Sequence, residues 1–122
     1  MSSAAVDEEI AEMVEHLFPE FLTDWPGEAW DWDGRMGCPI SVVRGAAQDA
    51  VLRRMRDVLN IELDGANPTP VPRACLGIIR ENGGLRSGQR AFFDVRADGK
   101  VRYALWWPWG DPAVASVRIG LQ

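Results

Sequence analysis

The chain has 122 residues, 47% of them hydrophobic and 25% charged, and a formal net charge of −5. That is enough for one hydrophobic core and too apolar for wholesale disorder. No apolar run approaches the roughly 20 residues of a membrane span, and the acidic start MSSAAVDEEIAEM lacks the basic-then-apolar pattern of a secretory leader, so a cytoplasmic protein is expected.

Charge is unevenly spread. Residues 1–43 hold ten acidic residues and one base, Arg35, whereas residues 44–122 hold twelve bases and eight acids. Either the two parts attract each other or the acidic part faces a basic partner.

In residues 5–18, Ile10, Met13, Val14, Leu17 and Phe18, with Phe21 beyond, follow the spacing of one helical face. Asp7, Glu8 and Glu9 are expected in the first turn, where negative charge suits the helix dipole. Pro19 ends or kinks this helix, and EFLTDW can add a turn. Residues 22–43 are interrupted by Pro26, Gly27, Gly34, Gly37 and Pro39. A long irregular stretch is usually functional or conceals a short element. Its core is DWPGEAWDWDG, residues 24–34: Trp25, Trp30 and Trp32 among Asp24, Glu28, Asp31 and Asp33, with no base between them. CPISVV, which closes the stretch, reads as a short strand.

Residues 46–60 predict a second helix, with Ala47, Ala50, Val51, Met55 and Val58 on one face, joined by Leu52 and Leu59 and flanked by Arg53, Arg54 and Arg56. GANPTPVP, residues 65–72, is a connector, and RACLGIIRE, residues 73–81, reads as a strand buried on both faces. After the glycine-rich turn NGGLRSGQ comes a hairpin about Asp98-Gly99. A two-residue loop would mix apolar and charged residues on each face. A three-residue loop, Ala97-Asp98-Gly99 with Gly99 left-handed, opposes Val95 to Val101, Phe93 to Tyr103 and Asp94 to Arg102. A last strand from Val114 to Leu121 points Ala115, Val117 and Ile119 inward, Ser116 and Arg118 outward. The expected fold is a single α+β domain over 1–122: an acidic helix and Trp-rich loop in 1–43, a second helix in 44–64, and the sheet in 73–122. Two N-terminal helices pack on one face of a four-stranded antiparallel meander.

Catalytic patterns are weak. His16 is the single histidine; with Glu12 and Glu20 it forms an i, i+4 stripe, which is ordinary solvated helix surface. Triads and two-histidine metal sites need more, and no GxSxG surrounds a serine. Counted from Asp31, a calcium loop would need glycine and glutamate where Met36 and Val42 stand. Carboxylate pairs beside tryptophan suit sugar hydrolysis, but composition does not set their separation. RENGGLRSGQR lacks the P-loop lysine, and the acidic balance disfavours nucleic acid. Cys38 and Cys75 match no zinc spacing and are expected as separate thiols.

In LWWPWG, Trp107 is expected in the core and Trp106 on the opposite face. The plainest account of the tryptophans is mutual packing, the 25–32 loop folding back on the sheet. With no cofactor, metal or catalytic set indicated, the first-ranked expectation is a non-enzymatic protein-binding domain. Asp24, Trp25, Glu28, Trp30, Asp31, Trp32, Asp33 and Trp106 would form an acidic aromatic surface for a basic partner protein, in the manner of an antitoxin or immunity protein facing a toxin or nuclease. Alternatives are a small-molecule or enzymatic pocket walled by tryptophan and carboxylates, and an assembly module. The chain itself is expected as a monomer or weak homo-oligomer.

Overall fold

Helical periodicity around residues 10–21 becomes helix α1, Ser3–Leu17, followed by a single 3-10 turn, Pro19–Phe21. The computed structural model describes residues 3–65 and 70–122, with side chains from Glu8 onward. Ile10, Val14, Phe18 and Phe21 are buried, while Met13, at the margin of the apolar arc, stays exposed. The helix begins earlier than the charge pattern suggested, so its first turn holds no acid and Glu8 and Glu9 fall in the second. Pro19, lacking an N–H, ends the α-helical ladder, and the backbone tightens so that Phe21 N–H donates to the Phe18 carbonyl at 2.9 Å.

Strands β1 (Asp31–Asp33) and β2 (Cys38–Arg44) form a hairpin, and helix α2 (Ala47–Val58) follows. Val51 and Met55 drive α2 onto the core; Ala50, expected on that face, is exposed. Then come β3 (Ile61–Asp64), helix α3 (Arg73–Glu81), β4 (Arg90–Val95), β5 (Val101–Pro108) and β6 (Val114–Leu121). All pairings are antiparallel, in the order β1-β2-β6-β5-β4-β3. The β2–β6 ladder begins at Ile40, one residue past Pro39, which has no N–H to give.

The β4–β5 hairpin has the expected register: Val95 opposite Val101, Asp94 opposite Arg102, Phe93 opposite Tyr103. Gly99 has a φ of 85°, and the Asp94–Arg102 ion pair closes at 2.9 Å. The sheet has two buried faces. On one, α1 and α2 cover Val43, Phe92, Ala104, Trp106, Ala115, Val117 and Ile119. On the other, α3 brings Cys75, Ile78 and Ile79 onto Leu63, Ala91, Phe93, Val101 and Leu105.

The fold is therefore α+β with an antiparallel sheet, but with six strands and three helices in place of a four-stranded meander and two. RACLGIIRE is helix, not strand. Cys75, Ile78 and Ile79 stand at i, i+3, i+4 and are buried, whereas Leu76 between them is 45% exposed. A short apolar run carries both periods, and here the prolines before it and Gly83 after it mark a helix. β1 was concealed in the Trp-rich stretch, and β3 offers only two alternating apolar residues, Ile61 and Leu63. The connector GANPTPVP lies partly outside the described residues.

Candidate functional site

The Trp-rich stretch divides into a packed part and an exposed part. Phe18 and Phe21 stack at 4.6 Å, and Trp25 and Trp30 continue the pile, 5.0 Å apart, each resting on Phe21. The polar edges of both rings are satisfied. Trp25 Nε1 donates to Ser41 Oγ at 2.9 Å, Ser41 Oγ donates to the Glu28 carbonyl at 2.7 Å, and Trp30 Nε1 reaches the Phe21 carbonyl at 3.4 Å. Gly27 makes this possible: a Cβ there would lie 2.6 Å from Trp25 Nε1 and 2.7 Å from Ser41 Oγ. Trp25 and Trp30 thus anchor the loop against the core beneath α1 and α2.

The acids divide similarly. Glu28 pairs with Arg44. Asp33 meets Arg118 Nε at 2.7 Å, both side chains being almost wholly covered, and its other oxygen accepts the N–H groups of Arg35 and Met36 at 3.1 Å. Burial alone would raise the Asp33 pKa; the Arg118 hydrogen bond and charge, with the two backbone donors, outweigh it and hold the carboxyl below its usual range. Burial, with the negative charge of Asp33, pushes the nearby Cys38 thiol up to about 11, against the opposing pull of Arg118. Cys38 and Cys75 are both free. Three side chains, Glu20, Glu28 and Asp33, tie the acidic part of the chain to Arg102, Arg44 and Arg118 of the basic part. Arg54 of α2 adds a clamp, donating to the carbonyls of Glu20, Thr23 and Asp24.

Of the eight residues expected at a partner surface, Trp25 and Trp30 are half-buried supports, Glu28 is paired, and Asp33 is a structural pin. Trp106 is 4% exposed, inside the α1–α2 core, which removes it from the surface; the alternation of β5 buries Trp106 under one layer and sets Trp107 against the other. Asp24, Asp31 and Trp32 remain exposed, Trp32 at 42%.

Trp32 faces α1. Together with Glu9, Ile10 and Met13 it lines a slot of about 200 Å³. Past Met13, itself 40% exposed, the flank of α1 continues into a hollow of about 270 Å³ bounded by His16, Leu17, Cys38, Pro39 and Tyr103. Glu8, Glu9, Glu12 and Glu15 stand exposed on the same helix, and none of them, nor Asp31, makes an ion pair among the described residues. Met36, in the β1–β2 turn, adds further exposed apolar surface. The arrangement suits an apolar side chain flanked by positive charge. Met13 and the glutamates were not among the expected site residues. Their signal was present as the one apolar residue at the edge of the helical arc, next to an unrelieved run of glutamate. Glu12 and His16 stay on the helix surface, while Glu20 is drawn to Arg102. Among the described residues no group of three or more His, Cys, Asp or Glu is placed to hold a metal ion, and no helix is long and apolar enough to cross a membrane.

Compared with protein-family profiles, curated proteins and solved structures, the chain gives no match.

Proposed function

We propose that the protein is a binding domain that neutralises a basic partner protein, in the manner of an antitoxin or immunity protein, and that it does so through the α1–β1 surface. The supporting observation is the slot between Met13 and Trp32, an exposed aromatic on a short hairpin beside Glu9, with Glu8, Glu12 and Glu15 exposed along the same helix and in no ion pair among the described residues. An exposed tryptophan held rigidly loses little conformational freedom on binding, and a ring of like charge raises the encounter rate with a partner of opposite charge. Trp25, Trp30 and Asp33 take the supporting role: they fix the hairpin that presents Trp32.

Capture from a lysate of the source cells by the tagged full chain tests this. The wild type is expected to retain a basic protein. Trp32→Ala is expected to weaken that complex about 30-fold or more, the effect of a hot-spot residue, and Glu9→Lys with Glu12→Lys to abolish capture at low salt. Trp109→Ala, equally exposed but remote in sequence and charge, serves as the control and keeps binding. Retention by the Trp32 and glutamate variants equal to wild type would overturn the reading.

A further inference from the structure

The outer side of α3 carries a second exposed surface of opposite sign. Arg73, Leu76 and Arg80 follow one another at i, i+3 and i+7, Leu76 is 45% exposed, and neither arginine makes an ion pair among the described residues. Leu76 and Arg80 border a shallow hollow closed by Ile79, Gly83 and Gly84. Because α1 and α3 cover opposite faces of the sheet, one molecule presents an acidic apolar surface on one side and a basic apolar surface on the other.

The spacings match. Arg73 and Arg80 are seven residues apart, about 10.5 Å along the axis, and so are Glu8 and Glu15 on α1. In an antiparallel contact the two arginines meet the two glutamates, and Leu76 lies between them against Ala11 and Glu12, which are exposed on the same outer side of α1. We infer that α3 of one copy docks on α1 of a second copy, so that the protein associates head to tail. Such a contact is heterologous: each copy still offers one free surface of each sign, and association continues past two instead of stopping at a symmetric pair. Two short helical faces bury less than the roughly 800 Å² per partner of a stable interface, so the contact is weak and charge-driven. It shares the acidic surface with the proposed external partner but does not depend on that partner's existence, since it needs only this chain.

Sedimentation of the full-length protein over a range of concentrations, at about 0.02 M and about 0.5 M salt, tests it. The expected result is an average mass that climbs beyond a dimer at low salt and returns to monomer at high salt. Arg73→Glu with Arg80→Glu, and separately Glu8→Arg with Glu15→Arg, each leave monomer. Mixing the two variants restores association, because the reversed helix of one meets the reversed helix of the other. All these positions are exposed, and far-UV circular dichroism confirms that the variants fold. A wild type that stays monomeric at low salt, that stops at a dimer, or whose association survives either reversal overturns the inference. Loss of lysate capture with intact self-association would instead count against the external partner alone.

Discussion

Asp31 and Asp33 lie two residues apart in the same DWD strand, yet substitution should separate them sharply. Asp31 is exposed, and among the described residues its carboxylate accepts only the neighbouring Trp32 N–H, at 2.8 Å. Asp33 is mostly covered against Arg118 and supports the turn through two more backbone donors. Asp31→Lys is therefore expected to change stability by no more than about 0.5 kcal/mol, as surface substitutions do. Asp33→Lys leaves Arg118 covered, unpaired and facing a second positive charge. A loss of about 1–3 kcal/mol follows from leaving a mostly covered charged donor without its partner. Urea unfolding of the two variants checks both figures. Equal losses would show that Arg118 has another counter-charge. For the same reason, a reversal at Asp33 would disturb folding before it tested binding, whereas Glu9, Glu12 and Asp31 can be changed without touching the core.

The helices and strands show which sequence signals were strong enough to read. Periodicity located α1 and α2, which have one buried face and one wet face, and cross-strand pairing located the β4–β5 hairpin. β6 lies where its apolar spacing placed it, but Ser116, expected outward, is buried because α3 and its layer cover the second face of the sheet. α3 was misread because Cys75, Leu76, Ile78 and Ile79 form an unbroken apolar run, and only burial tells that Leu76 points to solvent. β1 and β3 are edge strands of 3 and 4 residues; β1 pairs with the adjacent β2 and β3 with β4 beyond α3, and each is too short to carry a local pattern. The candidate surface was legible only as composition. Composition singled out Trp32 and Asp31, which the fold leaves exposed, but it could not tell that Asp33 and Glu28 are consumed by Arg118 and Arg44, nor that Met13 lines the slot beside Trp32. α3 also carries a defect its own sequence predicts. Gly77 lies within the helix, and a Cβ added there meets nothing within 4 Å. Gly77→Ala should stabilise the protein by about 0.5–1 kcal/mol through helix propensity alone. A rise in the thermal or urea midpoint with an unchanged m-value is the expected result; a fall would mean that the α3 surface is more tightly covered than its exposed Leu76 indicates.

Across the whole molecule, charges that the sequence segregates are rejoined by the fold, and this sets the response to acid. Asp33 fixes the β1–β2 turn to Arg118 of β6, and Glu62 of β3 binds both Arg56 of α2, at 2.8 Å, and Arg90 of β4, at 2.8 Å. For Glu62 the Arg56 hydrogen bond is the largest influence; burial opposes it, the Arg90 hydrogen bond and both charges reinforce it, and the net pKa falls below the ordinary 4.5. Asp33 likewise titrates below its ordinary 3.8. When a carboxyl is more acidic folded than unfolded, the unfolded chain takes up the proton first as pH drops. The stability that the pair contributes is complete above the unfolded pKa and is lost as pH falls through the folded one. Stability governed by these two groups should therefore hold steady from neutral pH down to about 4.5 and decline below it. The double variant Asp33→Asn, Glu62→Gln should start lower at neutral pH, having lost both ion pairs, and decline less steeply in acid, because two proton-binding differences are gone. Urea midpoints measured at successive pH values provide the comparison. Parallel wild-type and variant curves below pH 4.5 would move the acid sensitivity to other carboxylates, whereas convergence of the curves would assign it to these cross-element pairs.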